Sequence, residues 1–216
     1  MSDSDSFIDE VTEEVRRDRF FGYVRRYGWI AVLAVVLLVG GAGWNEWRKA
    51  QERASAQAFG DAILAALEAP DGAARARDLA AIKAPSPGGR AVLTLLTAAE
   101  EQAEDPAGAA RRLLAMADRA DIPRVYRQLA TLKAVALPDA GLEPGARRER
   151  LQGLAGAGGL LGLLAEEQLA LVDIEIGDRA AALDRLRRIL EDTAATQALR
   201  ERARQVIVAL GEEPAA

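Results

Sequence analysis

Two pairs of adjacent glutamates are the residues best suited to acid–base or metal chemistry in this sequence. They are Glu100 with Glu101 and Glu166 with Glu167. Both pairs lie in segments with helical periodicity, where successive side chains point about 100° apart and do not share a site. The sequence contains no histidine and no cysteine, which removes the commonest general base and the thiolate nucleophile. We therefore expect solvated helix faces, no enzymatic activity, and no catalytic, cofactor-binding or metal-binding residue.

The glycine-rich stretch of residues 153–165 resembles a nucleotide-binding loop in composition alone. It lacks the lysine and the Ser/Thr of a phosphate-binding loop, and no strand pattern precedes it. We interpret it as a loop that enters a buried helix. The formal net charge of −5 leaves no basic footprint, so a nucleic-acid partner is not expected.

The elements that position these residues are predicted to be helices. Half of the residues are hydrophobic but 5% are aromatic, and alanine, leucine and arginine favour helices over strands. Pro- and Gly-containing breaks separate the amphipathic segments. The predicted helices of this all-α fold cover residues 45–68, 73–83, 88–103, 106–119, 123–136, 145–155, 160–176, 179–192 and 196–210.

An uncharged apolar run precedes those helices. Residues 29–44 carry no charge and would extend about 24 Å as a helix, slightly less than a hydrocarbon core of ~30 Å. Aromatic residues at both ends are typical of membrane interfaces; they are Tyr23, Tyr27, Trp29, Trp44 and Trp47. A cleaved signal peptide would need a small-residue cleavage site, and a buried soluble helix would need partners on all sides. We predict an uncleaved transmembrane helix at residues 28–47.

Basic residues on the two sides of this run set its predicted orientation. The five that precede it are Arg16, Arg17, Arg19, Arg25 and Arg26, against three that follow it. The excess places the N-terminus inside. Residues 1–27 then form a cytoplasmic amphipathic segment, read either as an interfacial helix or as a docking face for a membrane partner. Residues 48–216 form the domain on the other side.

An internal sequence repeat relates two parts of that domain. Leu96 with Ala109 and Leu113 recurs 73 residues later as Leu169 with Ala182 and Leu186, twice a period of about 36. A degenerate middle copy would run from Leu129 to Leu151. A period near 34 with small residues at helix crossings is typical of tetratricopeptide repeats. The predicted packing residues are Ala109, Leu113, Ala170, Gly177, Asp178, Ala182 and Leu186.

One candidate contact for a partner follows Pro123. Arg124, Tyr126 and Arg127 open a predicted helix, and exposed tyrosine and arginine supply contact area at interfaces. The alternative for Tyr126 is a half-buried packing role.

The order of the motifs resembles the ancillary SecYEG translocon subunit family of Gram-negative bacteria. The features that carry the resemblance are residues 13–17 before the apolar run, Tyr27-Gly28-Trp29 at its entry, residues 43–47 at its exit, and the Gly177-Asp178…Ala182 hairpin. The resemblance implies a single-span protein of the bacterial inner membrane with a periplasmic tetratricopeptide-like domain. It also implies two partners, the SecYEG translocon and a membrane-anchored periplasmic prolyl isomerase. Thr97 departs from the small residue expected in the first copy.

Two functional hypotheses remain at this stage. The first is a binding module, anchored in the lipid bilayer, that handles exported proteins in a chaperone-like way and requires no cofactor. The second is a structural scaffold subunit of another inner-membrane or envelope complex, without client binding.

Overall fold

The computed structural model describes the backbone of residues 3–213 and the side chains of residues 29–30 and 33–213. Over this range the regular elements are helices: α1 (Asp3–Leu67), α2 (Gly72–Ala81), α3 (Pro87–Glu101), α4 (Pro106–Ala117), α5 (Arg124–Ala136), α6 (Pro144–Ala155), α7 (Gly159–Glu175), α8 (Arg179–Glu191) and α9 (Gln197–Ala209). The all-helical prediction is confirmed. The predicted bounds of the last eight helices agree with α2 to α9 within two residues.

Local sequence signals explain those bounds. Asp71, Ser86, Asp105, Asp178 and Thr196 are N-cap residues, and each side chain accepts a hydrogen bond from a backbone N–H in the first turn. Proline occupies the first turn of α3, α4 and α6, where its missing N–H costs no hydrogen bond.

Two structural units divide the chain, Met1–Ala56 and Gln57–Ala216. In the first unit the helix exposes large apolar side chains, among them Trp29, Trp44 and Trp47. The ring centroids of Trp44 and Trp47 lie 5.2 Å apart. In the part of the chain that the structure describes, no helix has an apolar stretch long enough to cross a membrane. The side chains of Tyr23, Tyr27, Arg16, Arg17, Arg19, Arg25 and Arg26 lie outside the described residues.

The second unit is a stack of antiparallel helical hairpins. The end of α1 packs with α2 and α3 through Ala66, Leu79 and Leu93. Further along, sequential helices contact each other, and α3 also contacts α5 as α5 contacts α7. Helices α3, α5 and α7 therefore lie side by side, an arrangement typical of stacked hairpin repeats.

The predicted repeat at a spacing of 73 residues extends over whole helices. Shifted by 73 residues, α5 coincides with α9 at both ends, and α2, α3 and α4 fall within one residue of α6, α7 and α8. The core repeats too, since Leu113 and Leu186 are both buried. We call α2–α5 the first copy and α6–α9 the second copy.

Candidate binding surface

The glutamates of the first acidic pair contact different helices. Glu100 accepts a hydrogen bond from Arg75 of α2 at 2.6 Å, and Glu101 binds Arg112 of α4 through two contacts of 2.7 and 2.5 Å. These glutamates are half-buried. The expected solvated face is therefore wrong: the 100° between neighbours sends each carboxylate to another helix.

The second acidic pair follows the same principle on α7. Glu166 accepts a hydrogen bond from Arg185 of α8 at 2.7 Å. Glu167, which is 7% exposed, binds Arg202 of α9 through two bonds of 2.7 and 2.8 Å. This bidentate contact raises the pKa of Arg202. Both acidic pairs connect helices, and the described residues contain no group of side chains suited to a metal ion.

Asp173 lies at the centre of the second copy's ion pairs. Its carboxylate is 1% exposed and accepts hydrogen bonds from Arg148 of α6 and from Arg185 of α8, the latter at 2.8 Å. The Arg148–Asp173 pair stands 73 residues after Arg75–Glu100. The repeat thus preserves a charged link between an even-numbered helix and the next odd-numbered one.

The Asp118–Arg150 pair predicts a pH effect on stability. Hydrogen bonding from Arg150, 3.1 Å at one contact, holds the pKa of Asp118 below its usual value. A lowered pKa stabilises the fold above about pH 4, the ordinary value for aspartate, and this contribution is lost as pH falls through the folded-state pKa. Because the pair is largely exposed, we expect Asp118→Asn to cost less than about 1 kcal/mol at neutral pH. Urea unfolding of both proteins at several pH values should show the difference vanishing in acid; a constant difference would contradict the linkage.

The predicted packing residues lie inside the hairpins. Ala109 and Leu113 belong to the core around α3–α5, and Ala170, Ala182 and Leu186 belong to the core around α7–α9. Gly177 has a φ of 86°, which favours glycine, and Asp178 accepts a hydrogen bond from the backbone of Ala181 at 3.1 Å. Thr97, although larger than expected, is buried.

The glycine-rich stretch is a loop only at residues 156–158, because its first residues end α6 and its last ones begin α7. Gly158 and Gly159 have φ values of 71° and 65°, and α7 begins at Gly159. Gly162 is buried, and a Cβ there would lie 3.0 Å from the carbonyl oxygen of Ala155. The glycines serve a turn and a close approach of two backbones.

The three residues of the candidate contact, Arg124, Tyr126 and Arg127, have different surroundings in the structure. Tyr126 is half-buried against the core of α3–α5. Arg124 and Arg127 line a pocket at α4–α6 with Thr131 and Arg150. The structure places Tyr126 in the packing role that the sequence left open.

An apolar groove lies between α7 and α9. Its volume is about 600 Å³, and its lining includes Gln168, Leu171, Ile174, Gln205 and Val206. Gln168 and Leu171 also line a second cavity of about 440 Å³ beside the α5–α6 loop. The two cavities therefore meet on the surface of α7, at residues that the sequence prediction missed.

Stacked helical hairpins with an open groove define a helical-repeat module, the class that supports protein–protein contacts. The model of the tetratricopeptide repeat-like domain family matches residues 22–141, more than half of the chain. The chain belongs to this family, whose domains generally mediate protein–protein interactions. No curated protein matches, and neither does any solved structure. The match confirms the tetratricopeptide-like part of the resemblance, while the translocon part stays a prediction.

Proposed function

We propose that this protein is a membrane-anchored protein-binding module at the Sec translocon. Residues 28–47 would form the anchor in the bacterial inner membrane, with residues 1–27 in the cytoplasm and the repeat domain of residues 48–216 in the periplasm. The observation that supports the anchor is the exposure of the large apolar side chains from Leu33 to Val39, which is 46–73%. An exposed apolar surface of this kind marks contact with a membrane or another protein.

The proposed role is chaperone-like handling of exported proteins, without catalysis or a cofactor. Partners would be SecYEG, a membrane-anchored periplasmic prolyl isomerase and the exporting chains. The family's general role in protein–protein interaction supports the binding activity, and the order of motifs along the sequence supports the choice of partners. Attachment to the membrane would raise the effective concentration of the repeat domain near emerging chains.

Site-specific photo-crosslinking in cells tests this function. We expect probes at Leu33 and Leu37 to capture a translocon subunit, because these exposed side chains lie in the proposed anchor. Probes at Leu171 and Gln205, which are exposed at the α7–α9 groove, should capture exporting chains, with a yield that rises when export is arrested. A probe at Lys83, exposed between α2 and α3, serves as the control position.

The same experiment separates the module from a scaffold. A scaffold's crosslinked partners would not depend on arrested export substrates. Recovery of neither a translocon subunit nor an exporting chain would contradict the proposed function.

A further inference from the structure

The α7–α9 groove of the second copy differs from the corresponding region of the first copy. In the first copy, the corresponding helices α3 and α5 contact each other directly. Leu95, Leu129 and Leu132 stand there in the positions of Gln168, Arg202 and Gln205. Leu95 and Leu132 pack against buried cores. Three apolar positions of the first copy have thus become polar in the second.

Two other positions changed from charged to apolar, and a third from a small to a large apolar residue. Leu171, Ile174 and Val206 stand in the second copy where the first copy has Ala98, Glu101 and Lys133. All three line the α7–α9 groove; Leu171 is 38% exposed, while Ile174 and Val206 are half-buried against the core beneath it. A helix face that is simply exposed to solvent exchanges apolar residues for polar ones. Exchange in both directions instead produces an accessible apolar floor between polar walls.

The charges at the α7–α9 groove form one neutral pair. Its charged lining residues are Arg202 and Glu167, which bind each other through two hydrogen bonds. A partner that lies on this floor meets no net charge, so an uncharged segment with aliphatic side chains fits best. A charged side chain placed there would lose hydration without gaining a partner.

The two glutamines indicate the conformation of that segment. Gln168 lines the groove from α7 and Gln205 from α9. Gln205 has one long contact, 3.4 Å, to Glu201 of its own helix. A carboxamide offers both donors and an acceptor, which match the N–H and C=O of a peptide bond. An extended segment has these backbone groups available, whereas a helix satisfies them internally.

We propose that the α7–α9 groove binds an uncharged, aliphatic segment of a partner polypeptide in extended conformation. Gln168 and Gln205 hydrogen-bond the segment's backbone, and Leu171, Ile174 and Val206 receive its side chains. The inference rests on the proposed function, because it specifies what the protein-binding surface holds.

Fluorescence anisotropy with the full chain in phosphatidylcholine nanodiscs tests the groove, with empty nanodiscs as the blank. The probe is a short labelled peptide of alternating leucine and serine. We expect it to bind, and we expect backbone N-methylation to weaken binding about tenfold, because two hydrogen bonds are lost. The same peptide with aspartate in place of leucine should not bind measurably.

Variants of the groove make the test specific. The double variant Gln168→Ala/Gln205→Ala should bind the plain and the N-methylated peptide equally, while Gln152→Ala, at an exposed glutamine of α6 outside the groove, should keep the tenfold difference. Ile174→Glu/Val206→Lys restores the residues of the first copy and should abolish binding. Circular dichroism establishes that each variant is folded.

Three results would overturn the inference. They are an unchanged tenfold difference in the glutamine double variant, undiminished binding in Ile174→Glu/Val206→Lys, and tighter binding of a peptide locked as a helix. If no peptide binds although translocon crosslinks are recovered, the groove inference falls and the proposed function stands. If peptides bind and no such crosslink forms, the reverse holds.

Discussion

Replacing Asp173 with alanine is expected to lower the free energy of unfolding by about 3 kcal/mol, because a buried ion pair loses one partner. The carboxylate of Asp173 is 1% exposed and holds Arg148 and Arg185 from two different helices. Its removal leaves two guanidinium groups that are 33% and 20% exposed, of which Arg185 keeps Glu166. Urea unfolding of the full chain in mild detergent, followed by far-UV circular dichroism, measures the change.

The first copy supplies a matched control for this variant. Glu100 stands in the position of Asp173, but it is 23% exposed and binds one arginine, Arg75. That arginine also donates to the carbonyl oxygen of Ala69 at 3.2 Å, so it keeps a partner. We expect Glu100→Ala to cost about 1 kcal/mol. Equal losses at the two positions would contradict the argument from burial.

The sequence was sufficient for the helices but not for the contacts between them. Helix ends depend on local signals such as Asp105-Pro106 or Gly177-Asp178, which can be recognised from a few consecutive residues. The ion pairs join residues far apart in sequence, such as Arg202 and Glu167, which lie 35 positions apart. Their formation depends on how the helices are stacked, so the expectation that the two glutamate pairs lie on solvated helix faces failed.

The groove was missed for a related reason. A leucine such as Leu171 has helical spacing whether its helix is covered or not, and periodicity alone assigns it to a core. One signal was nevertheless present in the sequence. Aligning the two copies at every position would have revealed that Glu101 and Lys133 correspond to Ile174 and Val206. A charged residue of the first copy that becomes aliphatic in the second copy points to a surface with a new role.

Replacing Leu186 with alanine is expected to lower the free energy of unfolding by about 2–5 kcal/mol. The Leu186 side chain is completely buried in α8 and packs in one core with Ala170, Ile189 and Leu199. Truncation loses the transfer free energy of its methyl groups and leaves a cavity, since closely packed neighbours relax little. Thermal and urea unfolding of the full chain measure the loss.

Leu171→Ala is the matched control, because it makes the same chemical change on the neighbouring helix. Leu171 is 38% exposed in the α7–α9 groove, so its truncation removes little buried area and should cost less than about 1 kcal/mol. The two variants should behave oppositely in peptide binding. Folded Leu186→Ala should keep its affinity for the leucine–serine peptide, and Leu171→Ala should lose it. A large stability loss at Leu171 would instead place this residue in the core, and the groove would then be a packing defect.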